Sequence, residues 1–267
     1  MFEELFAKGD SFLHHSDART KIVLASLFIL SIISSRTIVG GVVFFIIIGS
    51  YIALAQLPLG EVLKRMGLAN TFILFLWIFI PFSTPGDVIY RCCGLQITSQ
   101  GIYEASLLTL KSNAAILTII AFINTTPIPL LGHALSRLKL PSKFVLLFLL
   151  TYRYLTVIFE EFNRLMNAAK IRCFTPQTNL HTYKTISYLF AMILIRSYER
   201  GKRVYNAMLL RGFDGKFYCL SESRLRKNDL LLSLVTISLL IISLFIDHNL
   251  NYIYHHLKGT IWNQYFN

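Results

Sequence analysis

The sequence predicts an all-α integral membrane protein, with about five transmembrane helices and a cytoplasmic module of long helices between the fourth and the fifth. Three observations lead there. Hydrophobic residues make up 54% of the chain and mean hydropathy is +0.56, with long apolar runs that no soluble domain needs. Thirteen of the twenty-six Lys and Arg fall between Glu160 and Asn228, a concentration that marks the cytoplasmic side of a membrane protein. Within that basic stretch one fifteen-residue pattern is written twice, thirty-nine residues apart.

In chain order, Met1 to Lys21 is polar and charged with no cleavable signal, so the first apolar run, Ile22 to Ser35, is read as retained. It is short for a span of about 20 residues and either borrows flanking residues or thins the bilayer. Ile38 to Leu57 returns, and Arg19, Lys21, Lys64 and Arg65 place both inner ends in the cytoplasm. A third run, Leu68 to Phe82, ends near Pro81, and Ser83 to Gly101, poor in basic charge, reads as an external loop. The fourth run is placed at about Ser112 to Thr126, before Pro127, Pro129 and the basic Arg137, Lys139 and Lys143. Phe144 to Phe159 and Ile186 to Tyr198 could be further spans. Each is short and carries an Arg, Arg153 and Arg196, and crossing would put Glu160 to Lys184 outside against the charge bias. They are therefore expected as parts of long helices at the cytoplasmic interface. Leu230 to Ile246 is the last span, and the tail from Asp247 to Asn267, with Tyr and Trp262, suits the outer interface. The domains expected are residues 1–126 with four spans, 127–228 as the helical module, and 229–267 as the last span and external tail, with the N-terminus cytoplasmic.

The duplicated pattern is Glu-x-x-x-Arg-x-x-Asn-Ala-x-x-x-Arg-x-Phe. Its first copy is Glu160, Arg164, Asn167, Ala168, Arg172, Phe174 and its second Glu199, Arg203, Asn206, Ala207, Arg211, Phe213. Offsets of four place each Glu, Arg, Ala and Arg near one helical stripe, with Glu160–Arg164 and Glu199–Arg203 as supporting pairs. Each Ala clears room beside its terminal Arg. Gly212 and Pro176 put both terminal Arg residues in a last turn. There a cation complements the helix dipole, worth about 0.3–1 kcal/mol, but that role requires neither Ala nor Asn. A paired docking surface accounts for all of them.

Other chemistry is sparse. The five spans carry no ionisable residue in their interiors, with Lys111 and Asp247 at edges, which argues against a self-contained ion-coupled transporter or stand-alone metal permease. No Gly-x-x-x-x-Gly-Lys-[Ser/Thr], His-Glu-x-x-His or Gly-x-Ser-x-Gly occurs. An integral-membrane enzyme acting on lipid or isoprenoid, its basic module holding anionic headgroups, would need clustered carboxylates, and only Glu160-Glu161 lies near the membrane. His14-His15 and His255-His256 point about 100° apart on a helix, and His181 suits a cap, so no metal site is assigned. Cys92, Cys93, Cys173 and Cys219 read as free thiols. The basic stripes favour lipid headgroups over nucleic acid.

A family resemblance rests on Leu140-Pro141 through Leu150-Thr151-Tyr152-Arg153-Tyr154, Glu160-Glu161, Asn179-Leu180-His181-Thr182-Tyr183 and Ala207 through Gly215. Leu13-His14 and Asp17-Ala18-Arg19-Thr20-Lys21 extend it towards the N-terminus. These segments resemble the transmembrane T component of energy-coupling-factor (ECF) transporters, most of all the cobalt-transport branch, CbiQ, with nickel as the open alternative. The resemblance is strongest from Pro127 to Phe217. It implies a non-catalytic coupling subunit of the cytoplasmic (inner) membrane without cofactor. Its implied partners are two ATP-binding-cassette ATPases, a separate substrate-binding membrane subunit and membrane lipids. The family's two Ala-Arg-Gly motifs end the coupling helices and dock on the ATPases. They correspond here to Ala168, Arg172 and Cys173, and to Ala207, Arg211 and Gly212. Cys173 in the Gly position predicts a first helix that stops less sharply than the second.

Overall fold

The computed structural model describes residues 11, 13, 16–92, 95–215 and 227–265. The expectations for His14, His15, Cys93, Cys219, Arg224 and Arg226, and for the side chains of Cys92, His255, His256 and Trp262, lie outside the described residues. Two compact units form, one from residues 11–127 and 227–265, the other from 128–215.

The first unit contains α1 (Ala18–Ser34), α2 (Ile38–Leu54), α3 (Leu59–Ser83), the strands β1 (Val88–Cys92) and β2 (Leu95–Thr98), and α4 (Ser99–Thr118). A π-helical turn, Ile119–Ile123, prolongs α4. The fifth helix of this unit, α8 (Lys227–Tyr265), comes from the C-terminal end of the chain. The helices start where short polar side chains can accept from the orphan amides of a first turn. Asp17 accepts from the Arg19 amide at 3.0 Å, Thr37 from Gly40 at 3.1 Å and Thr98 from Gly101 at 3.2 Å. The core lies between α1, α2, the π turn and α8. There Phe28 meets Phe44 edge-on with centroids 5.8 Å apart, and Tyr51 packs on Phe122 while its hydroxyl meets Thr236 Oγ1 at 2.8 Å.

Two buried carboxylates of α8 hold α1 by both ends. Asp229 accepts from the Asp17 amide at 3.0 Å. Asp247 accepts from the amides of Arg36 at 3.0 Å and Thr37 at 3.1 Å, from Ser35 Oγ at 3.1 Å and from the Thr37 hydroxyl. An α-helix rises about 1.5 Å per residue, so the Asp229–Asp247 spacing matches the length of α1. Gly40 is needed at this contact, since a Cβ there would lie 2.2 Å from Asp247 Oδ1. Near the other end Lys21, 1% exposed, donates to Thr126 Oγ1 at 3.0 Å and Thr125 Oγ1 at 3.4 Å.

Several expectations need correction. The fourth span begins at Ser99, well before Ser112, because Thr98 caps it and Gly101 lets its first turn press on Pro81, whose Cα would stand 2.7 Å from a Cβ. The segment from Ser83 to Gly101, expected as a loop, accordingly contains an antiparallel hairpin, with Val88 opposite Thr98 and Cys92 opposite Leu95, and the first residues of α4. Lys111 therefore sits mid-helix, donating to the Ile33 carbonyl at 3.1 Å. Lys21 and Asp247 are buried, not edge groups in water.

By length and composition four helices can cross a membrane: Leu59–Ser83, Ser99–Ile123, Ser142–Ile171 and Asp229–Asn249, with Ile38–Leu54 apolar but shorter. Helix Ser142–Ile171 was expected at the interface, yet it has the length and apolar content of a span. The protein is an all-α, multi-pass membrane protein, and exposed Leu63, Leu68, Phe72 and Leu74 give α3 the apolar surface that lipid requires.

The second unit contains α5 (Ile128–Arg137), α6 (Ser142–Ile171) and α7 (Leu180–Leu210). Gly132 lets α5 approach α6, where a Cβ would meet Leu149 Cδ2 at 2.5 Å. Asn179 caps α7 by accepting from the Thr182 amide at 2.9 Å.

Candidate docking site at the ends of the two long helices

Helices α6 and α7 have 30 and 31 residues, each about 45 Å long at 1.5 Å per residue. Both end in the same way. In α6, Arg172 is the C-cap with φ −84° and ψ 23°, and Cys173 follows with φ +62°. The Cys173 amide donates to the Lys170 carbonyl at 3.0 Å and the Phe174 amide to the Ala169 carbonyl at 3.1 Å. In α7, Arg211 is the C-cap with φ −93° and ψ 13°, and Gly212 follows with φ +79°. Gly212 donates to Leu209 and Phe213 to Met208, both at 3.0 Å. These are two Schellman motifs, in which the residue after the cap is left-handed and two amides fold back onto the last carbonyls. The less sharp stop expected at Cys173 is thus not found: Cys173 takes the conformation that Gly takes in the second copy, because the same pair of hydrogen bonds enforces it. Phe174 and Phe213, the final residues of the repeat, are half-buried at the position where this motif places its apolar contact.

The remaining repeat residues are on the surface. Ala168, Arg172, Cys173, Ala207, Arg211 and Gly212 are all exposed, as are Glu160, Arg164, Glu199 and Arg203. Glu199 pairs with Arg203 at 3.9 Å, as the spacing predicts. The first copy differs, for Arg164 turns to Glu161 at 3.0 Å and not to Glu160. Each end therefore presents a guanidinium beside a methyl-sized residue, on a C-terminal turn whose carbonyls favour positive charge. A guanidinium so exposed keeps its donors in a planar fork that matches carboxylate or carbonyl acceptors.

Between the ends, the helices touch where Phe162 stacks on Phe190, with centroids 5.9 Å apart and planes 25° apart. Beside that stack, Glu161 is the common partner of Arg196 and Arg200 from α7, the latter at 3.8 Å, and of Arg164. Sequence reasoning missed this cluster, treating Arg196 only as an obstacle to spanning. A signal was present: at the thirty-nine-residue offset Glu161 corresponds to Arg200, opposite charges in equivalent positions. Among the described residues no group of three or more His, Cys, Asp and Glu could hold a metal ion.

Comparison with known proteins agrees with a transport role. The model of the family described as cobalt transport protein, CbiQ, matches residues 9–219. A Methanocaldococcus jannaschii protein, named only as uncharacterized protein MJ1089, is 30% identical over 209 residues, 76% of this chain and 78% of the relative. The energy-coupling factor transporter transmembrane proteins EcfT of Streptococcus thermophilus and Bacillus subtilis are 27% and 23% identical. The alignments take in 84% and 79% of this chain and 87% and 83% of those relatives. The family match thus takes in α1 to α7, both Arg-ended helices among them, and this chain belongs to the CbiQ family of transmembrane transport proteins.

Proposed function

We propose that the chain is the T subunit of an ATP-driven ECF importer, carrying cobalt ions, and that α6 and α7 are its coupling helices. The observation that supports this reading most is the duplicated end, in which two helices of one chain stop on the same Schellman turn with an exposed Arg and Ala in register. In this reading Arg172 and Arg211 each insert a guanidinium among acceptors on one of two ATP-binding-cassette ATPases, and Ala168 and Ala207 permit close helix approach. The turns at Cys173 and Gly212 take the chain away from each contact, and Glu199–Arg203 stiffens the second helix. ATP-driven closure of the ATPase pair draws the two helix ends together, and the membrane helices pass that motion to a separate substrate-binding membrane subunit. The chain itself has no part in bond-making. In this reading the Arg-bearing ends of α6 and α7 face the cytoplasm, the first four apolar runs and the last span lie in the inner membrane, and the C-terminal tail is outside.

The test is capture of the tagged chain from its native membrane, with every co-purifying protein identified by mass spectrometry. Wild type is expected to bring down a Walker-motif ATPase and a small membrane subunit. Each buried guanidinium contact is worth roughly 2–5 kcal/mol, so the Arg172→Ala, Arg211→Ala double variant is expected to lose the ATPase alone and with it all cobalt uptake, while inserting normally. Recovery of no ATPase with wild type, or wild-type uptake by the double variant, would overturn the reading.

A further inference from the structure

We infer that Glu161 is a positioning residue, the pivot on which α6 and α7 cross and about which their two Arg-bearing ends swing. The inference rests on the coupling reading for its consequence in transport, but its geometry stands independently of any partner. The Glu161 side chain is 13% exposed, and its two oxygens meet three guanidiniums drawn from both helices. Oε1 takes Arg196 of α7, and Oε2 takes Arg164 of α6 at 3.0 Å and Arg200 of α7 at 3.8 Å. Charge-assisted bonds of this kind are the stronger class, and an ionised carboxylate offers about four acceptor positions. Three donors can therefore exchange on it without leaving it unpaired.

The spacing of the donors suits rotation. Arg196 and Arg200 are one helical turn apart on the same face of α7, so they bracket Glu161, and as α6 turns about this point both guanidiniums stay within reach of its two oxygens. Apolar contact fixes the place without fixing the angle: Phe162 stacks on Phe190, and Val157, Ile158 and Ile193 line a small cleft against Glu161. Without the carboxylate three guanidiniums would face each other at the crossing, and their repulsion would part the helices.

The repeat supplies a specific test. Residues 161 and 200 are equivalent in the two copies, and Arg164 stands to Glu161 as Arg203 stands to residue 200. Exchanging Glu161 and Arg200 should then rebuild an ion pair between the helices with its polarity reversed, Arg203 taking the part of Arg164 while Val157 stands where a counterpart of Arg196 would be. The measurement is the electron-electron distance distribution between spin labels at Lys170→Cys and Leu209→Cys, in the full-length chain with its native cysteines replaced, alone in lipid nanodiscs. Glu161→Gln is expected to broaden that distribution at least twofold with helical circular dichroism unchanged. Glu161→Arg is expected to broaden it further, and Glu161→Arg combined with Arg200→Glu to restore the starting width. An unchanged width in Glu161→Gln, or no restoration in a helical exchange variant, would overturn the pivot. No ATPase is present in this measurement, so its failure leaves the docking reading intact, and failed ATPase capture leaves the pivot intact.

Discussion

Replacing Cys173 by Gly isolates the cost of the first helix end. The left-handed conformation costs an L-residue roughly 1–2 kcal/mol, and Cys173 carries it at φ +62° where the second copy uses Gly212 at φ +79°. Gly returns part of that gain through the greater freedom of the unfolded chain, about 0.4–1 kcal/mol. The expected net stabilisation of the turn is roughly 0.5–1 kcal/mol, a two- to fivefold change in its opening equilibrium. Hydrogen exchange reads it directly, since the Phe174 amide donates to Ala169 and the Cys173 amide to Lys170 only while the turn is closed. Protection of the 170–174 segment is expected to rise two- to fivefold in Cys173→Gly, and that of 209–213 to fall by a similar or larger factor in Gly212→Cys. Equal or lower protection in Cys173→Gly would refute the account, because it would mean that the thiol side chain stabilises the turn by more than its backbone strain costs.

The first unit gives two further predictions. Gly40→Ala places a methyl group 2.2 Å from Asp247 Oδ1 and 2.6 Å from Ser35 Oγ, so it is expected to cost about 1–3 kcal/mol through lost hydrogen bonds to that carboxylate, seen as a lower melting temperature in detergent. In an Asp247→Ala background the same substitution should cost much less, and additive losses would refute the shared site. Lys21→Met removes the ammonium whose charge faces Asp229 and Asp17, an uncompensated burial expected to cost about 3–5 kcal/mol. A wild-type melting temperature would show that Lys21 is not part of the folded core.

The repeat was legible because charges and small residues at fixed offsets have no cause in simple burial, and its terminal Arg residues do cap helices as the spacing demands. The start of α4 was not legible. Between Ser99 and Lys111 it holds Glu104, Thr109 and other polar groups, and a reading based on apolar runs begins a helix only where these stop. Trp77 donating to Thr109 at 2.8 Å and Asn113 to Asn70 at 2.9 Å show how α3 satisfies polar groups of α4 that sequence alone leaves unpartnered. Lys21 and Asp247 were read as surface flanks for the same reason. Position along a run is visible in sequence, whereas partners more than a hundred residues away, Thr126 for Lys21 and Ser35 for Asp247, are not. The conformation of Cys173 was hidden because residue type argues against it and only the flanking hydrogen bonds require it.

The two copies of the repeat are alike where they end and unlike where they meet, and both facts follow from one geometry. The ends share the terminal Arg, the Phe two residues on and the same two folded-back amides, although Cys173 stands in one where Gly212 stands in the other. At their mutual contact identical residues would face themselves: two Glu at positions 161 and 200 would repel, as would two Arg. The copies have diverged at that pair, to Glu161 and Arg200, and the divergence turns a self-facing contact into an ion pair. The further donor Arg196 corresponds at the same offset to Val157, which lines the cleft beside it, so the asymmetry extends one turn along the crossing. A repeat kept only for helix stability would leave its exposed ends free to drift. Here the Glu and Arg of the supporting pair stand in both copies, though only Glu199–Arg203 closes as an ion pair, and the Arg-bearing ends stand in both as well. What the copies share is thus the Arg-bearing ends, and what distinguishes them is the contact at Glu161, where α6 and α7 meet.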